Sequence, residues 1–128
     1  MATGHALAEL EKRIEYTFQN KALIKQALTH SSYANEQKIR KNGDYERLEF
    51  LGDAVLEMIS SEFLFKENPD MPEGKLTKLR SSLVCEPALA QCAKEIDLGS
   101  YMLLGKGESR CAVAFSENKV FCPGKNGV

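Results

Sequence analysis

Between Tyr45 and Asn68 the chain reads YERLEFLGDAVLEMISSEFLFKEN, and within it Glu46, Glu49, Asp53 and Glu57 recur at spacings of three and four. On a helix turning about 100° per residue, these four acids fall within an arc of about 80°, one narrow stripe. Leu48, Phe50, Leu51, Ala54, Val55, Leu56, Met58 and Ile59 take up most of the remaining circumference. That apolar surface is wider than the single stripe of an ordinary surface helix, so the acids are expected to be recessed. Like charges four residues apart repel by a few tenths of a kcal/mol even in water, about 0.2–0.5 kcal/mol per pair. No lysine interrupts the line. Carboxylate oxygens are the ligands that magnesium and manganese take, and a divalent cation would offset the repulsion. The competing reading is a solvated acidic face, or carboxylates paired with arginines from elsewhere in the chain.

The elements that must position this stripe follow from periodicity. Leu7, Leu10 and Ile14 predict a first short helix, and Ile24 and Leu28 with Leu23 and Ala27 a second one capped by Asn20. His30 to Asp44 is polar, contains Asn42-Gly43 and the basic Lys38, Arg40 and Lys41, and reads as a loop with a helical turn. Asp44 is the expected N-cap of the acidic helix. A new helix begins over Asp70–Pro72, with Leu76, Leu79 and Leu83 on one side and Lys75, Lys78 and Arg80 between them. Pro87 opens another, running to a stop at Gly99. No alternating segment competes, so the expected class is all-α.

The 128 residues fit one domain with a real core. Seventeen basic against eighteen acidic side chains leave no strong overall field, so any nucleic-acid contact has to come from local patches. No apolar run is long enough for a bilayer, and the N-terminus lacks a secretory pattern, which predicts a cytoplasmic protein without a membrane partner. Cys85, Cys92, Cys111 and Cys122 form no CxxC pair. Zinc is not expected, and the first two cysteines are read as one buried helical face. Gly105-Lys106-Gly107 lacks the GK[ST] ending of a phosphate-binding loop.

The segment ERLEFLGD, Glu46 to Asp53, resembles the signature of the ribonuclease III family. ALTHSSYANE (Ala27 to Glu36) before it, and EGKLTKLRSSLV (Glu73 to Val84) and LLGKGE (Leu103 to Glu108) after it, resemble that family's segments in the same order. The resemblance covers most of the first 108 residues. It implies an all-helical endonuclease domain that forms a homodimer, each acidic helix facing its partner across a valley for double-stranded RNA. The implied reaction is phosphodiester hydrolysis by metal-activated water, leaving a 5′ phosphate and a 3′ hydroxyl, in the processing of structured precursor RNA. The implied cofactor is magnesium, with manganese as the alternative.

Carried over by position, Glu49 and Asp53 are the implied catalytic and metal-binding residues, with Glu49 the more direct ligand. Glu46 and Glu73 correspond to acidic positions beside the RNA, and Lys75, Lys78 and Arg80 are candidate phosphate contacts, though basic residues on a helix are as often simply solvated. Glu57 is read as solvated. His30 is read as an anchor of its loop, not a base. Gly52, costing about 1 kcal/mol relative to alanine within a helix, implies a packing or geometric reason.

The family continues into a helix with a second acidic pair, and residues 109–128, SRCAVAFSENKVFCPGKNGV, do not match it; Glu117 is their one acid. The division is therefore a ribonuclease III-like domain over 1–108 and an unmatched tail, with the expectation of a truncated form or a reading-frame shift after Glu108. Two alternatives stay open beside the endoribonuclease: an inactive domain that keeps the dimer surface and binds RNA or protein, and a helical interaction module whose acids form salt bridges.

Overall fold

The structure, a computed structural model, describes residues 4–39 and 43–107. Arg40, Lys41, Asn42, Glu108, Glu117, Cys111 and Cys122, with the whole segment 109–128, lie outside the described residues. Six helices follow one another there: α1 (Gly4–Ile14), α2 (Lys21–Ala27), α3 (Ser31–Glu36), α4 (Glu46–Glu67), α5 (Glu73–Leu83) and α6 (Glu86–Glu95), then a 3-10 turn at Leu98–Tyr101. Among the described residues there is no strand, only an isolated parallel bridge between Thr29 and Leu103. The all-α expectation holds.

Local chemistry accounts for most of the boundaries. Asn20 caps α2 as expected, its side-chain oxygen accepting from the amides of Ala22 (3.1 Å) and Leu23 (3.4 Å) and so satisfying two otherwise unpaired donors of the first turn. Helix α1 ends where Glu15 adopts a left-handed conformation (φ 57°) and the Tyr16 amide reaches back to the Glu11 carbonyl. Pro72 and the Glu86-Pro87 pair open α5 and α6, where a missing amide costs nothing. Helix α4 begins one residue later than a cap at Asp44 would place it. Tyr45 is its N-cap, and Asp44 Oδ1 accepts from the Glu46 amide at 3.0 Å. Helix α6 ends at Glu95 with Ile96 as its C-cap, not at Gly99, because the chain turns through Asp97 (φ 53°) into the 3-10 turn.

The core sits at one end. Leu10 of α1, Ile24 and Leu28 of α2, Tyr45, Tyr101 and Met102 form one buried cluster, with Ala6, Leu7, Ile14, Phe18 and Leu104 packed around it. Tyr45, the N-cap of α4, belongs to this cluster, and α4 itself packs along α5, which in turn meets α6.

Its apolar circumference is consequently not covered by the described chain. Leu64 is the one buried residue of α4, while Phe50 is 83% exposed, Phe65 72%, Met58 62% and Leu51 60%. The expectation of a recessed stripe is met only in part: Glu49 and Asp53 are half-buried, Glu46 and Glu57 exposed. The shared buried face read for Cys85 and Cys92 is also corrected. Cys85 is the half-buried N-cap of α6, and Cys92 is exposed.

Candidate functional site

Glu49 and Asp53 stand one helical turn apart on α4 and both border a cavity of about 440 Å³. Its floor is apolar: Ile24 and Leu28 come from α2, Leu89 from α6, and Leu98 and Met102 from the segment after it. Leu48, Gly52, Val55, Leu56 and Ile59 complete the wall contributed by α4 itself. Two carboxylates at the margin of an apolar hollow are partly stripped of water, a setting that raises the energy of the charged pair unless a cation or donor answers it. The Glu49 amide donates to the Tyr45 carbonyl at 2.8 Å, so the first of the two acids belongs to the opening turn of the helix.

The other residues singled out by sequence are distributed differently. Glu46 is exposed at the helix start and does not border the cavity; Glu57 is exposed further along. Glu73 is exposed in the first turn of α5, where its Oε1 accepts from Thr77 Oγ1 at 3.1 Å. Lys75 and Lys78 are exposed on the same helix. Arg80 is half-buried, and its Nη1 donates to Ser61 Oγ at 2.9 Å, which ties α5 to α4. Of these eight residues, then, the cavity brings together two. Among the described residues no group of three or more His, Cys, Asp or Glu side chains converges as a metal cage would require.

Of the two residues given structural roles, one fares as its chemistry suggests. His30 is buried and caps α3, Nδ1 accepting the Ser32 amide at 3.1 Å, and its ring meets Tyr45 edge-on at 5.8 Å. It anchors the loop. Gly52 has the opposite outcome: a Cβ built there meets nothing within 4 Å, so the close packing expected of it is not supplied by the described chain.

Sequence reasoning missed the apolar lining from α2 and residues 98–102, and it missed Ser32, Glu36 and Gly105. Gly105 lies in the LLGKGE segment that carries part of the resemblance, but its sequence context gives it no partner. Its amide donates to Ser32 Oγ at 2.9 Å, and a Cβ there would stand 2.9 Å from Ser32 Cβ.

A family model described as Ribonuclease-III-like matches residues 20–122. The chain belongs to the ribonuclease III-like family. It is 54% identical over 101 residues to Ribonuclease 3 of Oceanobacillus iheyensis, covering 79% of this chain and 44% of that protein. It is 57% identical over 100 residues to Ribonuclease 3 of Geobacillus thermodenitrificans, covering 78% of this chain and 41% of that one. The chain thus spans less than half the length of these relatives. Among solved structures, a nuclease domain of ribonuclease III from Campylobacter jejuni, described for structural flexibility in a region involved in dimer formation, superimposes with a TM-score of 0.76 at 36% identity. That match covers 89% of this chain and 76% of the other. A second structure of the nuclease domain from the same organism gives a TM-score of 0.69 at 34% identity. The ribonuclease III-like fold and its order of segments are therefore those of this chain. No helix among the described residues is long and apolar enough to cross a membrane.

Proposed function

We propose that this chain is the catalytic part of an endoribonuclease acting on double-stranded RNA, with Glu49 and Asp53 as the working acids. The observation that carries the reading is their joint position at the margin of the α4 cavity, in a chain of this family. The donor set fits a hard divalent ion in one of its two common modes. Magnesium is often held by one or two protein carboxylates, its other positions going to water and to substrate phosphates, without an all-protein cage. Glu49 and Asp53 would hold such an ion. When bound, it would supply Lewis-acid stabilisation of phosphoryl oxygens and make a bound water more acidic than bulk water.

The chain's own contributions are positional. Half-burial keeps both carboxylates poorly solvated, which strengthens their attraction for a cation. The apolar wall of α2, α6 and residues 98–102 limits bulk water on one side. Lys75 and Lys78, exposed on α5, and Arg80, already oriented by Ser61, are the groups offered to phosphates. Glu46 and Glu73 are assigned to the RNA-facing surface. Backbone contacts of this kind favour duplex RNA by shape rather than sequence. Hydrolysis would leave a 5′ phosphate and a 3′ hydroxyl, in a processing role within the cytoplasm.

The reading includes a homodimer. Phe50, Leu51, Ala54 and Met58 lie on roughly the opposite side of α4 from the cavity, and Phe50, Leu51 and Met58 are largely exposed. Burying one such large side chain is worth roughly 1.5–3 kcal/mol, so a second copy laid along this face gains enough from a few of them to hold. Residues 1–108 are assigned to the nuclease domain.

A second reading, a module that binds duplex RNA without cutting it, draws on the two-carboxylate donor set. One assay separates the two: incubation of a long duplex RNA with the protein in magnesium, in manganese and in EDTA, read for both cleavage and retarded mobility. The nuclease reading expects metal-dependent fragments, lowered on the order of 10²-fold or more by Glu49→Gln or Asp53→Asn. Retardation without fragments under either ion favours the binding module. Neither retardation nor fragments contradicts both.

A further inference from the structure

The start of α4 and the segment that leaves the 3-10 turn are held by one and the same stretch, residues 26–36. On one side this stretch grips residues 103–106 with four hydrogen bonds. The Leu103 amide donates to the Leu28 carbonyl at 2.8 Å, and the His30 amide to the Leu103 carbonyl at 3.0 Å. The Gly105 amide donates to Ser32 Oγ and the Lys106 amide to Glu36 Oε1, each at 2.9 Å. On the other side the same stretch grips the residues before α4. The Tyr45 amide donates to the Thr29 carbonyl at 3.0 Å, Gln26 Nε2 to the Asp44 carbonyl at 3.1 Å, and the His30 ring packs edge-on against Tyr45.

Ser32 is the joint between the two sides. Its hydroxyl lies 2.7 Å from His30 Nδ1, and because that nitrogen accepts the Ser32 amide, the hydroxyl is the donor of the contact. Its lone pairs remain for the Gly105 amide. The fit admits no side chain opposite: a Cβ on Gly105 would stand 2.9 Å from Ser32 Cβ and 3.1 Å from Glu36 Oε1. Tyr45 in turn accepts the amide of Glu49. A path of direct contacts therefore runs from Gly105 through Ser32, His30 and Tyr45 to the backbone of Glu49, the first acid of the site.

We propose that Ser32 is a positioning residue, coupling the course of residues 103–106 to the orientation of the opening turns of α4 and so to Glu49 and Asp53. Its importance for chemistry rests on the proposed role of those two acids; the coupling itself does not.

Amide hydrogen exchange on the full chain, without RNA or metal, tests this. Ser32→Ala keeps the Cβ and removes the hydroxyl. Exchange should rise about tenfold at Gly105 and at the amides from Glu49 to Asp53, with α5 and α6 unchanged. A rise confined to residues 103–106, or one spread evenly over all helices, overturns the coupling. Gly105→Ala should give the same pattern through steric clash, and adding Ser32→Gly should bring exchange back to the level of Ser32→Ala. If Gly105→Ala does not fold, Ser32→Ala alone decides. Manganese binding supplies the functional readout: Ser32→Ala should weaken it several-fold with the helical content intact. Wild-type protein that binds no metal overturns the role of Glu49 and Asp53, while the exchange pattern still decides the clamp.

Discussion

Glu49 and Asp53 are four residues apart on one helix, half-buried and of like charge, so each raises the other's energy while no metal is held. Neutralising either should relieve that repulsion. Asp53→Asn is expected to leave the free protein as stable as wild type or more stable by about 0.2–0.5 kcal/mol, measured by urea unfolding without divalent ions. A clear loss of stability would mean that the carboxylate is paired within the fold, as in the salt-bridge reading. A second residue with a charge-dependent role is Glu11. The Lys21 ammonium at 2.7 Å, and then the Phe18 amide, hold its carboxyl below the ordinary carboxylate value. A depressed folded-state value means that the stabilisation is complete above the unfolded value near 4.5 and is lost as pH falls through the lower folded one. The urea midpoint of wild type should therefore drop more steeply below pH 4.5 than that of Glu11→Gln. Parallel curves would remove Glu11 from the acid response.

At the scale of elements, α4 carries the clearest mismatch between a local rule and its setting. A glycine inside a helix costs about 0.5–1 kcal/mol relative to alanine, and nothing lies within 4 Å of the site where a Cβ on Gly52 would go. Gly52→Ala should thus stabilise the chain by that amount in thermal unfolding; destabilisation would show that something fills the cavity beside it. At α2, Asn20→Ala should cost about 1 kcal/mol by urea unfolding, because two first-turn amides lose their acceptor. An unchanged midpoint would mean water replaces the cap without loss. These elements also mark what could be read in advance. Asn20, Pro72 and Pro87 act on their immediate neighbours, so helix starts were visible in the sequence. The same holds for the acidic stripe, which needs only the 3.6-residue period. Periodicity does not say what covers an apolar face, and so the exposure of Phe50, Met58 and Cys92 could not be foreseen. Gly105 and Ser32 are 73 residues apart, and no local pattern announces their contact.

Among the described residues, the core sits at one end and α4 extends from it with several large apolar side chains exposed. In the proposed reading the opposite faces of α4 take different occupants: the cavity side a cation at its two acids, the Phe50 side a second copy of the chain. Sedimentation at rising concentration should give a dimer, and Phe50→Asp should shift it toward monomer by at least tenfold in dissociation constant, since a charge would have to be buried. A wild-type monomer at all accessible concentrations would contradict the dimer. Family membership gives the fold firm ground, whereas the chemistry depends on two side chains. The direct measurement is a manganese titration followed by electron paramagnetic resonance, which reports the free ion. Wild-type protein should deplete free manganese, and Glu49→Gln and Asp53→Asn should each weaken the depletion by tenfold or more. Equal depletion by wild type and by the Glu49→Gln/Asp53→Asn double variant would contradict the account.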